Sequence, residues 1–331
     1  MLRSYDEFIN ESKLNWELEN LLKSKKCYLS DGKWNCDGNL HLGSLHRDLY
    51  ELLINKATGE LTVQFGIIKG KFTLRGYDKG SGSHIPLKNM KGMPSYVGGN
   101  FMLPNHALTS LVGMPTYVGE DINLQNNQLT SLEGLTESCK NLDLARNKLN
   151  DLKTFNCNVK GTIKLQYNKL TTLEEIPEQI NCKFIKLHGN KLTNLKGLNM
   201  IESFKYDLMD NKLTSLKGAP KRAVTFVVSK NPTLKSLEGM PIVRGDENTE
   251  DQNERVYEPY DIGAPQMEID WYFKVGRFGY DDYWKDCFEY TANNNIDAIT
   301  SIEWPKDLLD RLGDKYKHLL QSSMGIKKYS L

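Results

Sequence analysis

Residues 122–132 read INLQNNQLTSL, and four later stretches repeat the same order of apolar and polar residues. They are LDLARNKLNDL (142–152), IKLQYNKLTTL (163–173), IKLHGNKLTNL (185–195) and YDLMDNKLTSL (206–216). Shorter matches lie on either side, LPNHALTSL (103–111) before them and VSKNPTLKSL (228–237) after them. Every copy aligns on one polar column, whose members are His106, Asn127, Asn147, Asn168, Asn190, Asn211 and Asn231. Successive members are 21, 20, 21, 22, 21 and 20 residues apart, so this part of the chain consists of repeats.

Each repeat begins with two apolar residues separated by one other residue, as in Ile122-Asn-Leu124 and Leu142-Asp-Leu144. This alternation predicts a short strand with one buried face and one outward face. A period of about 20–29 residues is typical of leucine-rich repeats. The sequence therefore predicts an α/β repeat fold, a leucine-rich-repeat solenoid of short parallel strands. Gly and Pro on the return side, as in Leu111-Val-Gly-Met-Pro115, favour an irregular convex side without regular helices.

The column residue follows the strand directly, where the chain turns. An asparagine amide there can hydrogen-bond backbone groups that the turn leaves unpaired. We therefore expect Asn127, Asn147, Asn168, Asn190, Asn211 and Asn231 to form a structural ladder that joins adjacent coils.

The solenoid is predicted to occupy residues 27–245. Three earlier segments, GNLHL (38–42), GKFTL (70–74) and GNFML (99–103), share a glycine-strand pattern and extend the array toward the N-terminus. Residues 77–84 are rich in Gly and Ser and are predicted to loop out of the coil.

Both flanks are predicted to cover the ends of the array, since terminal coils need a polar outer face. Residues 1–26 contain an amphipathic helical pattern and are expected to form an N-terminal helical cap. Residues 246–262 are acidic and poor in aliphatic side chains, and we interpret them as a linker or loop. Residues 263–331 are rich in aromatic residues and end in a helical pattern, and they are predicted to form an α+β C-terminal cap. An exposed aromatic docking surface is the alternative interpretation of that last segment.

Charge and composition exclude several classes of function. Lys and Arg number 43 and Asp and Glu number 42, so the formal charge of +1 creates no global attraction for nucleic acid or an anionic membrane. No apolar run approaches the length of a membrane span, and the N-terminus lacks a secretory signal pattern, so we do not expect a secreted protein. The six cysteines have no zinc-site spacing and are interpreted as reduced buried thiols.

No catalytic motif accompanies the repeats, and we expect neither an enzyme, a cofactor nor a metal. The histidines lack a nearby nucleophile or carboxylate in the sequence. Asp281 and Asp282 are adjacent, and neighbouring residues on a strand point apart. An enzyme with a small catalytic unit in residues 263–331 remains the least favoured hypothesis.

The outward strand residues are the best candidates for binding, because the core does not need them and stacking aligns them into one surface. We expect a protein partner there. A stripe of three lysines, Lys164, Lys186 and Lys205, recurs at almost one repeat. The predicted partner-binding residues are Asp143, Lys164, Phe184, Lys186, His188, Lys205, Asp207 and Met209.

Two segments resemble known phage proteins. The idiom Leu-Thr-Ser-Leu-x-Gly-x-Pro followed by x-Val-Gly, at residues 108–119, resembles the leucine-rich-repeat proteins of large tailed phages. Ser4-Tyr-Asp-Glu-Phe-Ile-Asn-Glu-Ser12 is similar to the capsid-targeting N-terminus of internal head proteins in T-even-type phages. That second resemblance implies cleavage between Glu11 and Ser12, although the residue after the cut is usually Ala or Gly.

These resemblances imply a binding module of phage origin that engages a host or virion protein. A structural or packaged internal virion protein is the alternative, and a plain amphipathic capping helix is the alternative interpretation of the N-terminal segment. The implied location is the host cytoplasm or the interior of the phage head.

Overall fold

A computed structural model describes residues 16–42, 47–76, 85–174, 176, 179–228, 230–234 and 242–243. The predicted cleavage site at Glu11 and Ser12, the looped insertion at 77–84, the acidic segment at 246–262 and the aromatic segment at 263–331 lie outside these residues. The predicted repeat region lies largely inside them.

The chain divides into two compact units, each built as a parallel-strand β-solenoid with few helices. The first unit comprises Met1–Lys169 with Ile176–Lys183, and the second comprises Leu170–Glu175 with Phe184–Leu331. The predicted solenoid architecture is confirmed at this level. Within the described residues, no helix is both long enough and apolar enough to span a membrane.

The first unit contains two helices and thirteen complete strands in its described part. Helix α1 covers helical residues 16–24, and α2 is Arg47–Leu53. The strands are β1 (Cys27–Ser30), β2 (Lys33–Cys36), β3 (Leu40–His41), β4 (Phe65–Ile68), β5 (Phe72–Thr73), β6 (Tyr96–Val97), β7 (Phe101–Met102), β8 (Tyr117–Val118), β9 (Ile122–Asn123), β10 (Ser138–Cys139), β11 (Leu142–Asp143), β12 (Asn158–Val159) and β13 (Thr162–Lys164).

The second unit has fewer described elements. They are a 3-10 helix (Leu198–Met200), β15 (Ile201–Asp207), β16 (Arg222–Ala223), β17 (Thr225–Val227) and β18 (Ile242–Val243), while β14 (Ile180–Lys186) contributes residues to each unit. β15 pairs in parallel with β17, and β16 pairs in parallel with β18.

The predicted repeat strands of the first unit form one parallel sheet, which we call the main sheet. Its order is β3, β5, β7, β9, β11 and β13. The three early glycine-strand segments join it in register, so that Leu40 is opposite Phe72 and Phe72 is opposite Phe101. Phe101 in turn is opposite Ile122, which begins the clearest repeat. The array therefore extends to the N-terminal side, as the shared pattern predicts.

The inward residues of these strands form the core. Ile122 is 1% exposed, and Leu124, Leu142 and Leu144 are fully buried. Each such side chain contributes about 1.5–3 kcal/mol of transfer free energy. A single coil cannot bury both sides of its apolar layer, so stability requires stacking of neighbouring coils.

The asparagine column joins consecutive coils through both ends of each amide. Asn127 Oδ1 accepts a hydrogen bond from Leu108 N at 3.1 Å in the preceding coil. Its Nδ2 donates to Leu103 O in that coil and to Leu124 O in its own, each at 2.9 Å. Asn147 and Asn168 repeat this arrangement in the first unit, as Asn211 and Asn231 do in the second.

His106 begins the column and forms equivalent bonds with an imidazole. Its Nδ1 accepts from Leu87 N at 3.3 Å, so the proton lies on Nε2, which donates to Leu74 O at 3.0 Å. The neutral ring therefore reproduces one acceptor and one donor of the amide. The ring is buried, and burial lowers the pKa of His106 from 6.5 to about 4.

A second set of short strands, not predicted from the sequence, lies on another side of the coils. We call it the side sheet, with the order β1, β2, β4, β6 and β8. β10 and β12 form a further parallel pair of the same kind. The Val-Gly idiom belongs to this sheet: a Cβ on Gly98 would lie 2.1 Å from Lys69 O, and one on Gly119 would lie 2.1 Å from Gly98 O. Adjacent coils approach too closely there for a larger residue.

We predict that Asn168→Ala lowers the free energy of unfolding by about 1–3 kcal/mol, because it removes the side-chain acceptor of Leu149 N and the hydrogen bonds that Asn168 donates to Leu144 O and Leu165 O. Urea denaturation measures the change. The neighbouring exposed substitution Lys169→Ala should change it by no more than about 0.5 kcal/mol. Equal losses in the two variants would contradict a stabilising role for the column.

A second prediction concerns acid. Because the pKa of His106 is lower in the folded chain than in the unfolded one, its contribution to stability is complete above pH 6.5 and is lost as the pH falls toward 4. The loss should be on the order of 3 kcal/mol. His106→Asn keeps an amide in the column and removes this titration. Urea denaturation should be measured between pH 7 and 4, a range that includes the ordinary histidine pKa of 6.5. The wild type should lose stability relative to the variant as the pH falls. Equal pH dependence of the two proteins would contradict the lowered pKa of His106.

Candidate functional site

The outward residues of the main sheet include two of the predicted binding residues. Asp143 and Lys164 are register neighbours on β11 and β13, and Lys164 Nζ lies 3.1 Å from Asp143 Oδ2. Asp143 Oδ1 also accepts from Ala145 N at 3.1 Å. The two side chains are therefore engaged with each other, and the positive charge of Lys164 is compensated locally.

Other outward polar residues of the first unit connect the coils. Asn141 Nδ2 donates to Asp121 Oδ1 at 2.7 Å, and Asn141 Oδ1 accepts from Thr162 N at 2.8 Å. These contacts cross from one coil to the next on each side. This part of the face is a polar ladder with a structural use.

The second unit carries the other six predicted residues. His188 Nδ1 donates to Asp207 Oδ2 across 2.6 Å, and both side chains are mostly buried. Asp207 Oδ1 accepts from Met209 N at 3.2 Å, which fixes the carboxylate. The structure thus brings His188 and Asp207 together as an oriented pair on the outward face.

Phe184 and Lys186 form a second pair on that face. Lys186 Nζ lies 5.1 Å from the centre of the Phe184 ring, within the range of a cation–π contact. Both residues are half-buried, as are Lys205 and Met209. The face therefore combines an aromatic ring, a thioether, two lysines and an acidic residue.

The three lysines do not form a straight stripe. Lys164 and Lys186 lie four residues before their column asparagines, Asn168 and Asn190, whereas Lys205 lies six residues before Asn211. The residue four before Asn211 is Asp207. Position on the face is set by the column and not by the distance between lysines, so Lys205 lies two residues further from its column asparagine than Lys164 and Lys186 do.

Phe204 is an exposed anchor that sequence reasoning missed. Strict alternation from Tyr206 would bury it, but Ser203 is buried instead and Phe204 is 61% exposed. The burial pattern of β15 changes phase between Phe204 and Lys205, two consecutive residues that are not buried. The Tyr206 hydroxyl accepts from Ser203 N at 2.9 Å and donates to Ile201 O at 2.7 Å. The sequence signal that could have identified Phe204 is the presence of two aromatic residues, Phe204 and Tyr206, in one short strand, IESFKYD.

The side sheet of the first unit also presents apolar side chains that sequence reasoning missed. Ile67, Tyr96 and Tyr117 are register neighbours and are all exposed. The two tyrosine rings stack with centres 4.7 Å apart and planes 8° apart. We call this set the aromatic row. Its signal in the sequence is the repeated Tyr-Val-Gly at residues 96–98 and 117–119.

The described residues offer few side chains that could bind a metal or act as a nucleophile. They contain no group of three or more metal-binding side chains. Cys139 and Cys157 are buried with their Sγ atoms 3.8 Å apart. The hydrogen bond between the two thiols and, second to it, burial raise the pKa of Cys139. Burial also raises the pKa of Cys27. Thiols held in the protonated form are weak nucleophiles.

No protein family, curated protein or solved structure matches this chain. The assignment of a function therefore depends on the surfaces described above.

We predict that the outward face of the second unit is not needed for folding. Phe204→Ala should change the free energy of unfolding by no more than about 0.5 kcal/mol, because its ring contributes little buried area. Phe226→Ala, at a site 2% exposed in the same unit, should cost about 3–5 kcal/mol. Thermal melts followed by circular dichroism compare the two. A large loss in Phe204→Ala would mean that the ring packs against the fold.

Proposed function

We propose that this chain is a leucine-rich-repeat protein of a large tailed phage that binds a host or virion protein on the outward face of its second unit. The face consists of Phe184, Lys186, His188, Lys205, Asp207 and Met209, together with Phe204, which is exposed on the same strand as Lys205 and Asp207. It acts as a binding module without catalytic chemistry of its own.

The leucine-rich type is supported by the regularity of the coils. Their spacing of 20–22 residues lies at the short end of the leucine-rich range. A buried asparagine follows the strand in six successive coils, and each return carries further buried leucines such as Leu129 and Leu132. The phage origin is supported by the resemblance of the Leu-x-Gly-x-Pro and Val-Gly idioms at residues 108–119 to the leucine-rich-repeat proteins of large tailed phages.

One observation carries the proposal of a partner: Phe204 exposes 61% of its surface beside a strand whose core is complete without it. Burying such a ring in an interface recovers about 1.5–3 kcal/mol. Aromatic, Met and Arg side chains are enriched at the centres of protein interfaces. Phe184 and Met209 on the same unit add apolar area to the surface.

The charges of the face favour a protein over nucleic acid. Asp207 lies between Lys205 and Met209, and its carboxylate binds His188. Outside this unit, Lys164 is neutralised by Asp143. A nucleic-acid site would require uncompensated positive charges along one track. A mixed surface with an aromatic anchor is typical of a protein interface with a polar rim.

The test begins by finding the partner by contact. A photo-reactive phenylalanine analogue at Met209 should cross-link one protein in the cells that make the chain, and mass spectrometry identifies it. With that protein purified, Phe204→Ala and Phe184→Ala should each weaken binding by about 30-fold, equivalent to roughly 2 kcal/mol for a hot-spot residue. Calorimetry measures the affinities.

Val112→Ala is the matched control, because Val112 is 62% exposed and lies in the first unit. It should bind as the wild type does. The triple variant Lys164→Ala, Lys186→Ala, Lys205→Ala should bind within about tenfold of wild type for a protein partner. If the slope of log affinity against log salt concentration instead decreased by roughly 3 in this triple variant, the ligand would be a nucleic acid. Unchanged affinity in both phenylalanine variants would exclude this face.

A further inference from the structure

Two cysteines face each other across the first hairpin of the side sheet. β1 and β2 pair antiparallel, and their register places Cys27 opposite Cys36. The turn between the strands is tight, since only Asp31 and Gly32 separate them, and both residues have positive φ. A two-residue turn of this kind matches the twist of the strands and fixes their register. The fold of the hairpin therefore holds the two cysteines opposite each other.

The backbones of this pair have the spacing that a disulfide requires. Cys36 O accepts a hydrogen bond from Lys69 N, so Cys36 directs its backbone toward β4 and away from β1. Cys27 and Cys36 are therefore a non-hydrogen-bonded pair, in which the Cα atoms are about 4.5 Å apart. The Cα atoms of a disulfide are about 4.4–6.8 Å apart. The bond can form here without a movement of the strands.

The two side chains lie on the same buried face of the hairpin. Cys27 is 5% exposed and Cys36 is 1% exposed, and both are free thiols. Sγ of Cys36 lies 3.3 Å from Lys25 O, and Sγ of Cys27 lies 4.0 Å from the same oxygen. Burial and, second to it, a hydrogen bond with the Cys36 thiol raise the pKa of Cys27. The two sulfur atoms therefore meet at one buried point beside Lys25 O.

A disulfide suits this pair better than a metal ion does. A structural zinc site needs a full tetrahedron of ligands, and the described part of the chain contains no group of three or more metal-binding side chains. The other close pair has a different geometry. Cys139 and Cys157 have Sγ atoms 3.8 Å apart, but Cys139 is opposite Val159 in the register of β10 and β12. Of these two pairs, only the hairpin pair has its backbones directly opposite.

We propose that Cys27 and Cys36 are a redox-sensitive pair that forms a disulfide by exchange with a low-molecular-weight disulfide such as oxidised glutathione. One cysteine thiolate attacks a sulfur of the glutathione disulfide, forms a mixed disulfide and displaces one glutathione thiolate. The second cysteine thiolate then attacks the protein sulfur of the mixed disulfide and displaces the other glutathione. The protein gives up two electrons and two protons, which convert the glutathione disulfide to two thiols.

Burial determines when this exchange occurs. A protonated, buried thiol is a weak nucleophile, so the closed hairpin reacts slowly. The exchange proceeds when the hairpin opens locally or while the chain folds. Once the bond has formed, the same burial protects it from reductants. Because β1 is the terminal strand of its sheet, the disulfide holds this strand to β2 in oxidising conditions and leaves it free to open in reducing ones.

The equilibrium between dithiol and disulfide in the full chain tests the proposal. The protein is unfolded in urea, refolded into buffers of fixed ratio of reduced to oxidised glutathione, and quenched by alkylation of free thiols. Mass spectrometry of its peptides gives the fraction of chains with a bond between Cys27 and Cys36. The same measurement in urea is the reference, where only chain proximity joins the thiols. The ratio of disulfide to dithiol should be at least about tenfold higher in native buffer, because the fold holds the thiols together.

A matched control moves one thiol to the other face of the hairpin. In the double variant Cys27→Ser, Tyr28→Cys the two thiols are one residue closer in sequence, but position 28 is 49% exposed in the wild type. The ratio of disulfide to dithiol in this variant should be no higher in native buffer than in urea. Circular dichroism must show the variant folded. If it does not fold, the comparison of the wild type in the two buffers decides.

Three results would overturn the proposal. The first is an equal ratio of disulfide to dithiol for the wild type in native buffer and in urea. The second is a bond between Cys139 and Cys157 in place of the hairpin bond. The third is an equal native preference in the double variant, since closure would then depend on chain proximity and not on the register. β1 and β2 belong to the first unit, so these results leave the proposed partner face of the second unit untouched.

Discussion

The hydrogen bonds of the column amides hold the coils together at the turn where the backbone ladder between them is interrupted. The ladder runs past the two-residue strands, from Leu124 N to Asp143 O and from Asn126 N to Ala145 O, and it changes direction at the column, where Gln128 N donates to Leu108 O. The chain then turns into the core, where unpaired N–H and C=O groups would cost about 1–3 kcal/mol each. Each buried asparagine supplies an acceptor to the coil before it and donors to both coils. Without these side chains the regular stacking of leucines would leave a line of unsatisfied backbone groups.

Much of this arrangement could be predicted from the sequence because it repeats. Alternating apolar residues and the fixed column locate the strands of the main sheet, their inward faces and the early coils from Leu40 onward. The side sheet could not be found in this way. Its two-residue strands β6 and β8 each contribute a single buried residue, Val97 and Val118, which leaves no alternation to detect. The glycine after each valine is visible in the sequence. The reason for it, a carbonyl oxygen of the previous coil that leaves no room for a Cβ atom, is seen only in the structure.

The candidate site was predicted less completely than the fold. Alternation correctly places Phe184, Lys186 and Asp207 outside the core. It fails at Phe204, because the burial pattern of β15 changes phase between Phe204 and Lys205, as that of β14 does between Lys183 and Phe184. Outward residues do not obey the repeat, since no inward packing constrains them. For the same reason the pattern that identifies the coil carries no information about what the face binds.

The column has a further consequence for the dynamics of the array. Six backbone amides donate to the side-chain carbonyl of an asparagine in the following coil, at 3.0–3.1 Å. They belong to Leu108, Leu129, Leu149, Leu170, Leu192 and Leu213. None of these protons can exchange with deuterium in solvent until its amide partner turns away or the two coils separate. Native-state exchange at these positions therefore records the opening of one coil from the next, coil by coil, along the chain.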